Sequence, residues 1–450
     1  TVLDWQEGCL RCARCVKESC PYEAFWQRRF DRRSLTDTID SLCRNCFRCV
    51  QGCPRELITK TVNPEYQALG DSYWTKEIIT TTWYQAETGR IPVSGAGYGG
   101  PFKGPGFDSI WTDMSEIVRP TRDGIHGREY ISTAVDLGRK PLFLAFDEAG
   151  RLTMPTFPLI TLPLPLILSE PVFGVGKPRL REIMLQAAEI LDTVAIIPRP
   201  FCQADYKLYG GQLVPQYEPG ALELDDPWLP EVRLIELWDY PEIAATLDRL
   251  KSRYPQVLVS IKLPATEQAA SRARALAAAG AEILHLAADN HAQGLGGAAA
   301  VHLKDLLRQV HLGLVEEALR DAVTVIASGG IALAEHVAKA IICGADAVVV
   351  DLPLLLALEC RLCGPCQEGE ACPVDLATIP VRRGTQRVVN LLGAWNNQLL
   401  EVLGAMGLRE VRRLRGEVGR AMFFEDLERE IMAPLFARPG GPGVVERDPN

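Results

Sequence analysis

The chain has 450 residues, which is enough for two to four domains and a large buried core. Its net charge of −9 argues against a nucleic-acid-binding protein, whose binding face would be basic. A hydrophobic content of 47% with 23% charged residues is typical of a globular protein. The longest apolar candidate for a membrane span, Phe157–Leu168, is too short and contains prolines. No signal peptide is recognisable, which predicts a cytoplasmic location.

Fourteen cysteines are present, and twelve of them fall into three tight clusters. Cysteines spaced two residues apart in a long chain without a signal peptide indicate metal binding in a reducing compartment rather than disulfides. The other two, Cys202 and Cys343, are interpreted as small buried hydrophobic residues.

Residues 1–62 are predicted to form a ferredoxin-like domain. The first cysteine run is C-x2-C-x2-C-x4-C-P from Cys9, and the second is C-x2-C-x2-C-x3-C-P from Cys43. The second has the bacterial ferredoxin spacing, in which the fourth cysteine binds the other cluster. Zinc also accepts four thiolates, but zinc sites rarely repeat in this pattern. We therefore predict two [4Fe–4S] clusters, one held by Cys9, Cys12, Cys15 and Cys53, the other by Cys43, Cys46, Cys49 and Cys20.

Residues 63–155 are expected to form a connecting segment that packs on the following domain. Ser94–Phe107 is rich in glycine and proline, so it is predicted to be a loop that either cradles a cofactor or crosses between domains. Trp111–Arg139 contains several arginines with interleaved acidic residues. This composition suits either an anion site or an ion-paired interface, and the interface is slightly favoured.

Residues 156–375 alternate strand-like and helix-like runs, which is the pattern of a parallel α/β fold. Seven strands are visible and an eighth is expected within residues 200–230, so a (β/α)8 TIM barrel fits better than a Rossmann sheet. The glycines of residues 95–100 have Rossmann spacing, but no strand precedes them. The predicted strands are Leu166–Phe173, Thr193–Ile197, Leu234–Leu237, Val257–Leu263, Glu282–Ala287, Thr324–Ala327 and Ala347–Val350. The predicted helices include Arg179–Leu191, Tyr240–Arg253, Thr266–Ala279, His302–Ala318 and Leu333–Ile342.

Glycine-containing turns flank the last two predicted strands. Ser328, Gly329 and Gly330 follow the seventh strand, while Gly344 and Ala345 precede the eighth. Barrels often bind phosphate with the loops after strands seven and eight. Both turns are therefore predicted to hold the phosphate of a flavin.

Polar residues at the carboxyl ends of barrel strands are candidates for catalysis and cofactor binding. Lys262 would stabilise an anionic reduced flavin, unless it pairs with a neighbouring acid. Asp289 and Asn290 would contact substrate or flavin, unless they cap a helix. The same two alternatives apply to Ser169 and Glu170 at the end of the first strand. Five other histidines show no metal-ligand pairing and are interpreted as structural, namely His126, His285, His302, His311 and His336.

A third cysteine group follows the barrel. Cys360, Cys363, Cys366 and Cys372 could hold one [4Fe–4S] cluster, and three of them could hold a [3Fe–4S] cluster. Residues 376–450 are predicted to form a helical C-terminal extension that ends in a Pro/Gly-rich tail, Arg438–Asn450.

Two long segments resemble the FMN-binding synthase part of glutamate synthase, most closely the archaeal-type large subunit with a fused ferredoxin domain. They are GFDSIWTDMSEIVRPTRDGIHGREYISTAVDLGR at residues 106–139 and SGGIALAEHVAKAIICGADAVVVDLPLLLALECRLCGPC at residues 328–366. The sequence SIKL resembles a family motif whose lysine lies near the flavin, which implies this role for Lys262.

The resemblance implies a TIM barrel that binds FMN and reduces 2-iminoglutarate, formed from 2-oxoglutarate and ammonia, to L-glutamate. Electrons would pass from the ferredoxin clusters through the cluster at Cys360–Cys372 to FMN. The implied partners are NAD(P)H- or ferredoxin-linked redox subunits and a separate glutaminase subunit, within a hetero-oligomer. No glutaminase domain is recognisable, so ammonia is expected from such a subunit or from solution.

Two departures from the family affect its substrate loops. The acidic EGGE loop after the second strand is here Ile197–Phe201, and the glycines of an HDGG loop are replaced by Asn290–Gln293. An alternative is therefore an electron-transfer subunit of a larger complex without glutamate synthase activity. A flavin oxidoreductase acting on another small acid is a third possibility.

Overall fold

The computed structural model describes the barrel and the C-terminal helix almost continuously and the N-terminal third in parts. The described residues are 2–3, 10, 12, 14, 18–22, 36–37, 46–56, 60–61, 64–91, 106–112, 130–141, 143–153, 157–172, 177–364, 366, 372, 374, 376–417, 419, 421–427 and 429. Several residues singled out from the sequence lie outside this set: Cys9, Cys15, Cys43, the charged residues between 113 and 129, and the tail Arg438–Asn450.

Apart from one helix, the described elements before β4 are short. Strands β1 (Val2–Leu3), β2 (Thr36–Asp37) and β3 (Lys60–Thr61) form an antiparallel sheet in the order β2-β1-β3. Helix α1 (Arg48–Gln51) contains Cys49 of the second run. Helices α2 (Pro64–Gln67) and α3 (Lys76–Thr88) follow, and Thr75 caps α3 by accepting a hydrogen bond from the Ile78 backbone N–H.

Between α3 and the barrel, the described residues include three short strands. They are β4 (Ile110–Thr112), β5 (Val135–Leu137) and β6 (Ile160–Leu162). Strands β5 and β6 form an antiparallel pair. The backbone N–H of Gly138, just after β5, donates to Thr324 Oγ1 at the first residue of a barrel strand, at 3.1 Å. The β5–β6 pair therefore lies at the amino end of the barrel.

Eight parallel strands form a closed barrel, which confirms the predicted TIM-barrel fold. The eighth strand predicted within residues 200–230 is Leu213–Tyr217, the third strand of the barrel. The strands are buried because helices cover the barrel, so apolar runs mark them in the sequence. They are β7 (Leu166–Ser169), β8 (Ala195–Pro198), β9 (Leu213–Tyr217), β10 (Leu234–Trp238), β11 (Leu258–Pro264), β12 (Ile283–Ala287), β13 (Thr324–Ser328) and β14 (Ala347–Val350).

Helices follow most of the barrel strands, and five of them agree with the predicted helices to within a few residues at each end. In the described chain these and the final helices are α4 (Lys177–Leu191), α5 (Ile243–Arg253), α6 (Ala269–Ala278), α7 (Leu303–Glu316), α8 (Ala334–Ile342), α9 (Leu352–Ala357), α10 (Val381–Ala405) and α11 (Phe424–Leu427). None of the helices in the described chain could cross a membrane.

The C-terminal extension is helical, as predicted. Its long helix α10 packs against α4, α3 and α8. Trp395, which is fully buried in α10, donates from Nε1 to Gln85 Oε1 of α3 at 3.1 Å. A final strand, β15 (Ala421–Phe423), pairs with β4. The extension thus holds the segment that precedes the barrel against its helices.

Candidate functional site

The parallel strands place all their carboxyl ends on one rim, which is where barrel enzymes carry their active sites. Three of the predicted site residues end barrel strands or lie near their ends at this rim: Ser169, Lys262 and Ser328. Asp289 and Asn290 lie in the loop that follows β12. The structure therefore brings these five residues to the same end of the barrel.

Lys262 is half-buried beside an aromatic ring at this rim. Its Nζ lies 4.6 Å from the centroid of the Trp238 ring on the neighbouring strand β10, and such a contact stabilises the cation. The indole Nε1 of Trp238 is buried and donates to no acceptor in the described part of the chain. The Lys262 charge also favours the ionised form of two buried carboxyls: it helps to lower the pKa of Glu236, and it opposes the rise that burial causes in the pKa of Asp351.

Below Lys262, a hydrogen-bonded network crosses the barrel interior through five consecutive strands. Glu236 accepts hydrogen bonds from Gln216 Nε2 at 2.7 Å and Ser260 Oγ at 3.0 Å, and its Oε2 lies 2.7 Å from His285 Nδ1. His285 Nε2 lies 2.8 Å from Ser328 Oγ. Burial of Glu236 alone would raise its pKa, but His285 and the other partners lower it to about 2. Glu236 is therefore a buried carboxylate.

The loop after β13 requires glycine. Gly329 and Gly330 have φ angles of 100° and 64°. A Cβ on Gly329 would lie 2.6 Å from the Ala288 carbonyl oxygen, and one on Gly330 would lie 2.4 Å from the Ala292 nitrogen. The buried N–H groups of Gly329, Gly330 and Ile331 donate to no acceptor within the described ranges. Since buried N–H groups need partners, this loop offers three consecutive donors to an anion.

The loop after β14 offers fewer free N–H donors to an anion than the loop after β13. Asp351 Oδ1 accepts the N–H of Leu352 at 2.6 Å, and Pro353, the next residue of α9, has no N–H. The N–H of Leu354 donates to the Asp351 carbonyl. Burial raises the pKa of Asp351. The N–H groups in the first turn of α9 thus already have acceptors within the protein. The carboxyl group of Asp351 also lies where a phosphate would need hydrogen-bond donors.

The prediction for Gly344 and Ala345 is corrected by the structure. Both residues precede β14 and therefore lie at the amino end of the barrel, opposite Ser328–Gly330. The Gly344 carbonyl accepts a hydrogen bond from Arg320 Nη2 at 2.7 Å, and a Cβ at this position would lie 2.3 Å from His311 Cβ. Close packing against His311, with a φ of 123°, explains the glycine.

Two of the other candidates are engaged in local structure. Glu170 forms a bidentate ion pair with Arg181, at 2.6 and 2.9 Å, and both side chains are buried. Asp289 Oδ1 accepts the backbone N–H groups of His291 and Gln293, at 2.8 and 2.7 Å. Asp289 therefore holds the turn of its own loop rather than capping a helix, whereas Ser169 is buried at the end of β7.

The segment Gly70–Trp74, which the sequence did not indicate as functional, lies over this rim. Tyr73 Oη donates to the Gly330 carbonyl at 2.5 Å, and Trp74 Nε1 donates to the Asn290 carbonyl at 2.8 Å. At its other end, the Gly70 N–H donates to the Arg361 carbonyl at 3.1 Å. One short segment thus contacts both the glycine loop of the rim and the third cysteine group.

The third cysteine group forms a tightly wound loop directly after α9. Cys360 is buried, whereas Cys363, Cys366 and Cys372 are partly exposed. Glu359, just before Cys360, has a φ angle of 71°, and Leu362 and Gly364, between the cysteines, have φ angles of 47° and 92°, so left-handed residues recur along this loop. Burial raises the pKa of the Cys360 thiol to about 11, and Cys372, Cys366 and Cys363 add to this effect.

A buried arginine anchors this loop. Arg387 of α10 donates from Nε to the Ala357 carbonyl at the end of α9. Its Nη1 pairs with Glu359 at 3.2 Å and with Glu87 of α3. The arginine therefore joins the start of the cysteine loop to two helices. No three metal-binding side chains among the described residues form a site for a single ion.

The N-terminal cysteines are described only in part. Cys12 and Cys46 are exposed, and Cys20, Cys49 and Cys53 are partly buried. Cys9, Cys15 and Cys43 lie outside the described residues. The ligand sets assigned from spacing stay predictions.

Comparison with known proteins shows what this chain is similar to. Residues 230–409 match the family model described as a conserved region in glutamate synthase. The archaeal-type glutamate synthase [NADPH] of Dehalococcoides mccartyi is 25% identical over 91% of this chain and 92% of its own length. The archaeal glutamate synthase [NADPH] of Archaeoglobus fulgidus is 25% identical over 95% of each chain.

Among solved structures, a mandelate oxidase with an FMN adduct superposes with a TM-score of 0.43 and 15% identity, covering 78% of this chain and 93% of that chain. The family match covers the barrel from β10 onward, the third cysteine group and α10. The two relatives extend the sequence similarity over almost the whole chain. This chain is an oxidoreductase that is similar to archaeal-type glutamate synthases over most of its length.

Proposed function

We propose that this chain is an FMN- and iron–sulfur-dependent oxidoreductase that reduces 2-iminoglutarate, formed from 2-oxoglutarate and ammonia, to L-glutamate. The observation that carries the proposal is the segment Gly70–Trp74, which contacts the rim at Gly330 and the cysteine loop at Arg361. A cofactor at the glycine loop and a cluster at the cysteine loop would therefore be neighbours.

The rim suits FMN in two respects. The three N–H donors of Gly329–Ile331 would hold the phosphate, since barrels often bind phosphate after the seventh strand. Lys262 would face the ring, where its charge favours the anionic reduced form. FMN would accept electrons singly and deliver them as a pair. An acidic side chain such as Asp351 is unusual beside a phosphate. Burial favours the neutral form of Asp351, which weakens its repulsion of the phosphate.

The cysteine loop would hold the cluster that passes electrons to FMN. Its ligands would be drawn from Cys360, Cys363, Cys366 and Cys372, and the contribution of the other three thiols to the raised pKa of Cys360 supports a common site. The predicted N-terminal clusters would supply the electrons, from a ferredoxin- or NAD(P)H-linked partner. The two relatives compared above are named as NADPH-dependent enzymes.

The test uses the full chain with its iron and FMN contents measured. Dithionite-reduced protein is given 2-oxoglutarate and ammonium, and glutamate is quantified by mass spectrometry. We expect glutamate from the wild type and a loss of at least tenfold in Lys262→Ala. Lys207→Ala is the matched control, because Lys207 is a partly exposed lysine that pairs with Glu231 away from the rim. Protein that has full FMN and iron but makes no glutamate would overturn the proposal.

A second candidate is an electron-transfer subunit without glutamate synthase activity. One observation favours it: charged side chains after the first two barrel strands neutralise each other. Arg199 forms a bidentate pair with Asp226 at 2.7 and 3.2 Å, in the loop where the family carries acidic residues. Glu170 is likewise held by Arg181. Reduction of an artificial acceptor such as cytochrome c by protein that makes no glutamate would support this candidate.

A further inference from the structure

The tyrosine of the segment Gly70–Trp74 acts on the glycine loop of the rim through a backbone carbonyl. Tyr73 Oη lies 2.5 Å from the Gly330 carbonyl oxygen. A carbonyl oxygen only accepts hydrogen bonds, so the hydroxyl is the donor. Burial raises the pKa of Tyr73 above its ordinary value, and nearby carboxylates, Asp108 first among them, add to this effect. The hydroxyl therefore keeps its proton and remains a donor at neutral pH.

This hydrogen bond fixes the direction of an N–H group on the other side of the same peptide unit. A trans peptide unit is planar, and its C=O and N–H bonds point in opposite directions. The carbonyl of Gly330 and the N–H of Ile331 belong to one such unit. Because the carbonyl is held toward Tyr73, the Ile331 N–H points away from Tyr73. It is one of the three buried N–H groups that donate to no acceptor within the described ranges.

The first N–H group of the loop is directed in the same way, but from the barrel itself. The Ser328 carbonyl accepts the Ala288 N–H at 3.0 Å, so the Gly329 N–H of the same peptide unit points away from Ala288. Glycine has no Cβ, and its backbone therefore rotates more freely than that of other residues. In a loop with two consecutive glycines, such hydrogen bonds to the carbonyls are what fixes the direction of the N–H donors.

The segment that carries Tyr73 is itself firmly held. Asp71 Oδ1 accepts the backbone N–H groups of Tyr73 and Trp74, at 2.7 and 2.8 Å. The Trp74 side chain is buried, and its Nε1 donates to the Asn290 carbonyl at 2.8 Å. At its other end, the backbone of the segment donates to the cysteine loop at 3.1 Å. These contacts determine the position of the tyrosine hydroxyl over the rim.

We propose that Tyr73 is a positioning residue for a bound phosphate group: its hydroxyl holds the Gly330 carbonyl and thereby aims the Ile331 N–H at the phosphate. The inference rests on the proposed binding of FMN at this rim. A residue from outside the barrel thus completes a phosphate site of the kind that barrels build from their own loops. In this role the hydroxyl acts through the backbone, so its loss weakens the phosphate contact and leaves contacts with the flavin ring unchanged.

The test compares two flavins that differ only in the phosphate. The flavin-depleted full chain is titrated with FMN and with riboflavin, and binding is measured from the change in flavin fluorescence. Tyr73→Phe removes the hydroxyl and keeps the ring. We expect this variant to bind FMN about three- to tenfold more weakly and riboflavin as the wild type does. Tyr254→Phe is the matched control and should bind both flavins normally, because Tyr254 Oη also donates to a backbone carbonyl, at 3.1 Å, but precedes β11 at the amino end of the barrel.

Circular dichroism checks that each variant folds. If Tyr73→Phe does not, Asp71→Ala serves in its place, since it releases the backbone of the segment and should likewise weaken the binding of FMN alone. If the wild type does not bind riboflavin, inorganic phosphate is used as a competitor of FMN, and Tyr73→Phe should lower the affinity for phosphate by the same factor.

Three results would overturn the inference while the proposed function stands. They are FMN binding by Tyr73→Phe as tight as that of the wild type, an equal loss of affinity for riboflavin, and an unchanged affinity for phosphate in the competition. An equal loss for both flavins would show that Tyr73 contacts the ring or only stabilises the fold. Absence of FMN binding by the wild type overturns the proposed function as well.

Discussion

Replacement of Asp346 tests the finding that the turn before β14 is structural. Asp346 accepts from Arg320 at 2.9 Å and from Arg415 at 2.8 Å, and it also receives the Val325 N–H. The side chains of Asp346 and Arg320 are 13% and 4% exposed. Asp346→Asn leaves the Arg320 guanidinium without its buried carboxylate partner, while the shape of the side chain is kept.

The expected cost follows from this burial. Breaking a buried ion pair by removing one partner costs about 3–5 kcal/mol, because the remaining charge stays buried. Asp321→Asn is the matched control: Asp321 also pairs with Arg415, at 2.6 Å, but it is 77% exposed. An exposed pair is worth ~0–1 kcal/mol, so the control should unfold in urea almost like the wild type.

The pH dependence gives a second check on the same variant. Burial would raise the pKa of Asp346, but Arg320 and Arg415 hold it below its ordinary value. A lowered pKa contributes stability above the ordinary aspartate pKa and loses it as the pH falls. The difference in unfolding free energy between the wild type and Asp346→Asn should therefore become smaller at acidic pH.

Two results would refute this reasoning. One is an unfolding free energy for Asp346→Asn no lower than that of Asp321→Asn. The other is a loss of FMN affinity without a loss of stability, which would return Gly344 and its neighbours to the cofactor site.

Three further predictions concern the rim and the cysteine loop. In urea unfolding, Gly330→Ala should lower the free energy of unfolding by about 1–3 kcal/mol more than Gly150→Ala does. The added Cβ at position 330 would lie 2.4 Å from a backbone nitrogen, whereas a Cβ at Gly150 (φ 76°) would meet no atom within 4 Å. Equal costs would contradict the close packing of this loop. Glu236→Gln should lose about 3 kcal/mol at neutral pH, since the pKa of Glu236 is lowered to about 2, and the loss should shrink below pH ~4.5. A pH-independent loss would exclude a charged Glu236. Arg387→Met should reduce the iron retained per chain more than Arg383→Met, because Arg383 pairs with the same Glu359 at an exposed site. Equal iron contents would show that Arg387 does not hold the cysteine loop.

The barrel could be predicted from the sequence because its signal is local. Strands such as Leu258–Pro264 and Thr324–Ser328 are buried on both faces, so each is a short apolar run bounded by polar or glycine residues. The position of Lys262 at a strand end followed from the same pattern, and the cysteine spacing of Cys360–Cys372 stands in the sequence itself. These features need no knowledge of contacts across the chain.

The role of each glycine turn could not be predicted in this way. Gly330 and Gly344 both have positive φ and both flank β-strands, so they look alike in sequence. The structure places one against Ala292 and Tyr73 at the rim and the other against His311 at the opposite end. A glycine shows that a backbone approaches something closely, but only the tertiary structure decides whether that neighbour is a protein side chain or space for a ligand.

The internal network was likewise beyond the sequence. His285 lies in an apolar run, and the sequence alone indicates only a structural role, because its partners Glu236 and Ser328 are 49 and 43 residues away. The contacts of Tyr73 and Trp74 with the rim span more than 200 residues of sequence. By itself the sequence determined the barrel, the cysteine groups and the likeness to glutamate synthase. Closure of the barrel decided which polar side chains meet, because it brings the carboxyl ends of distant strands to one rim.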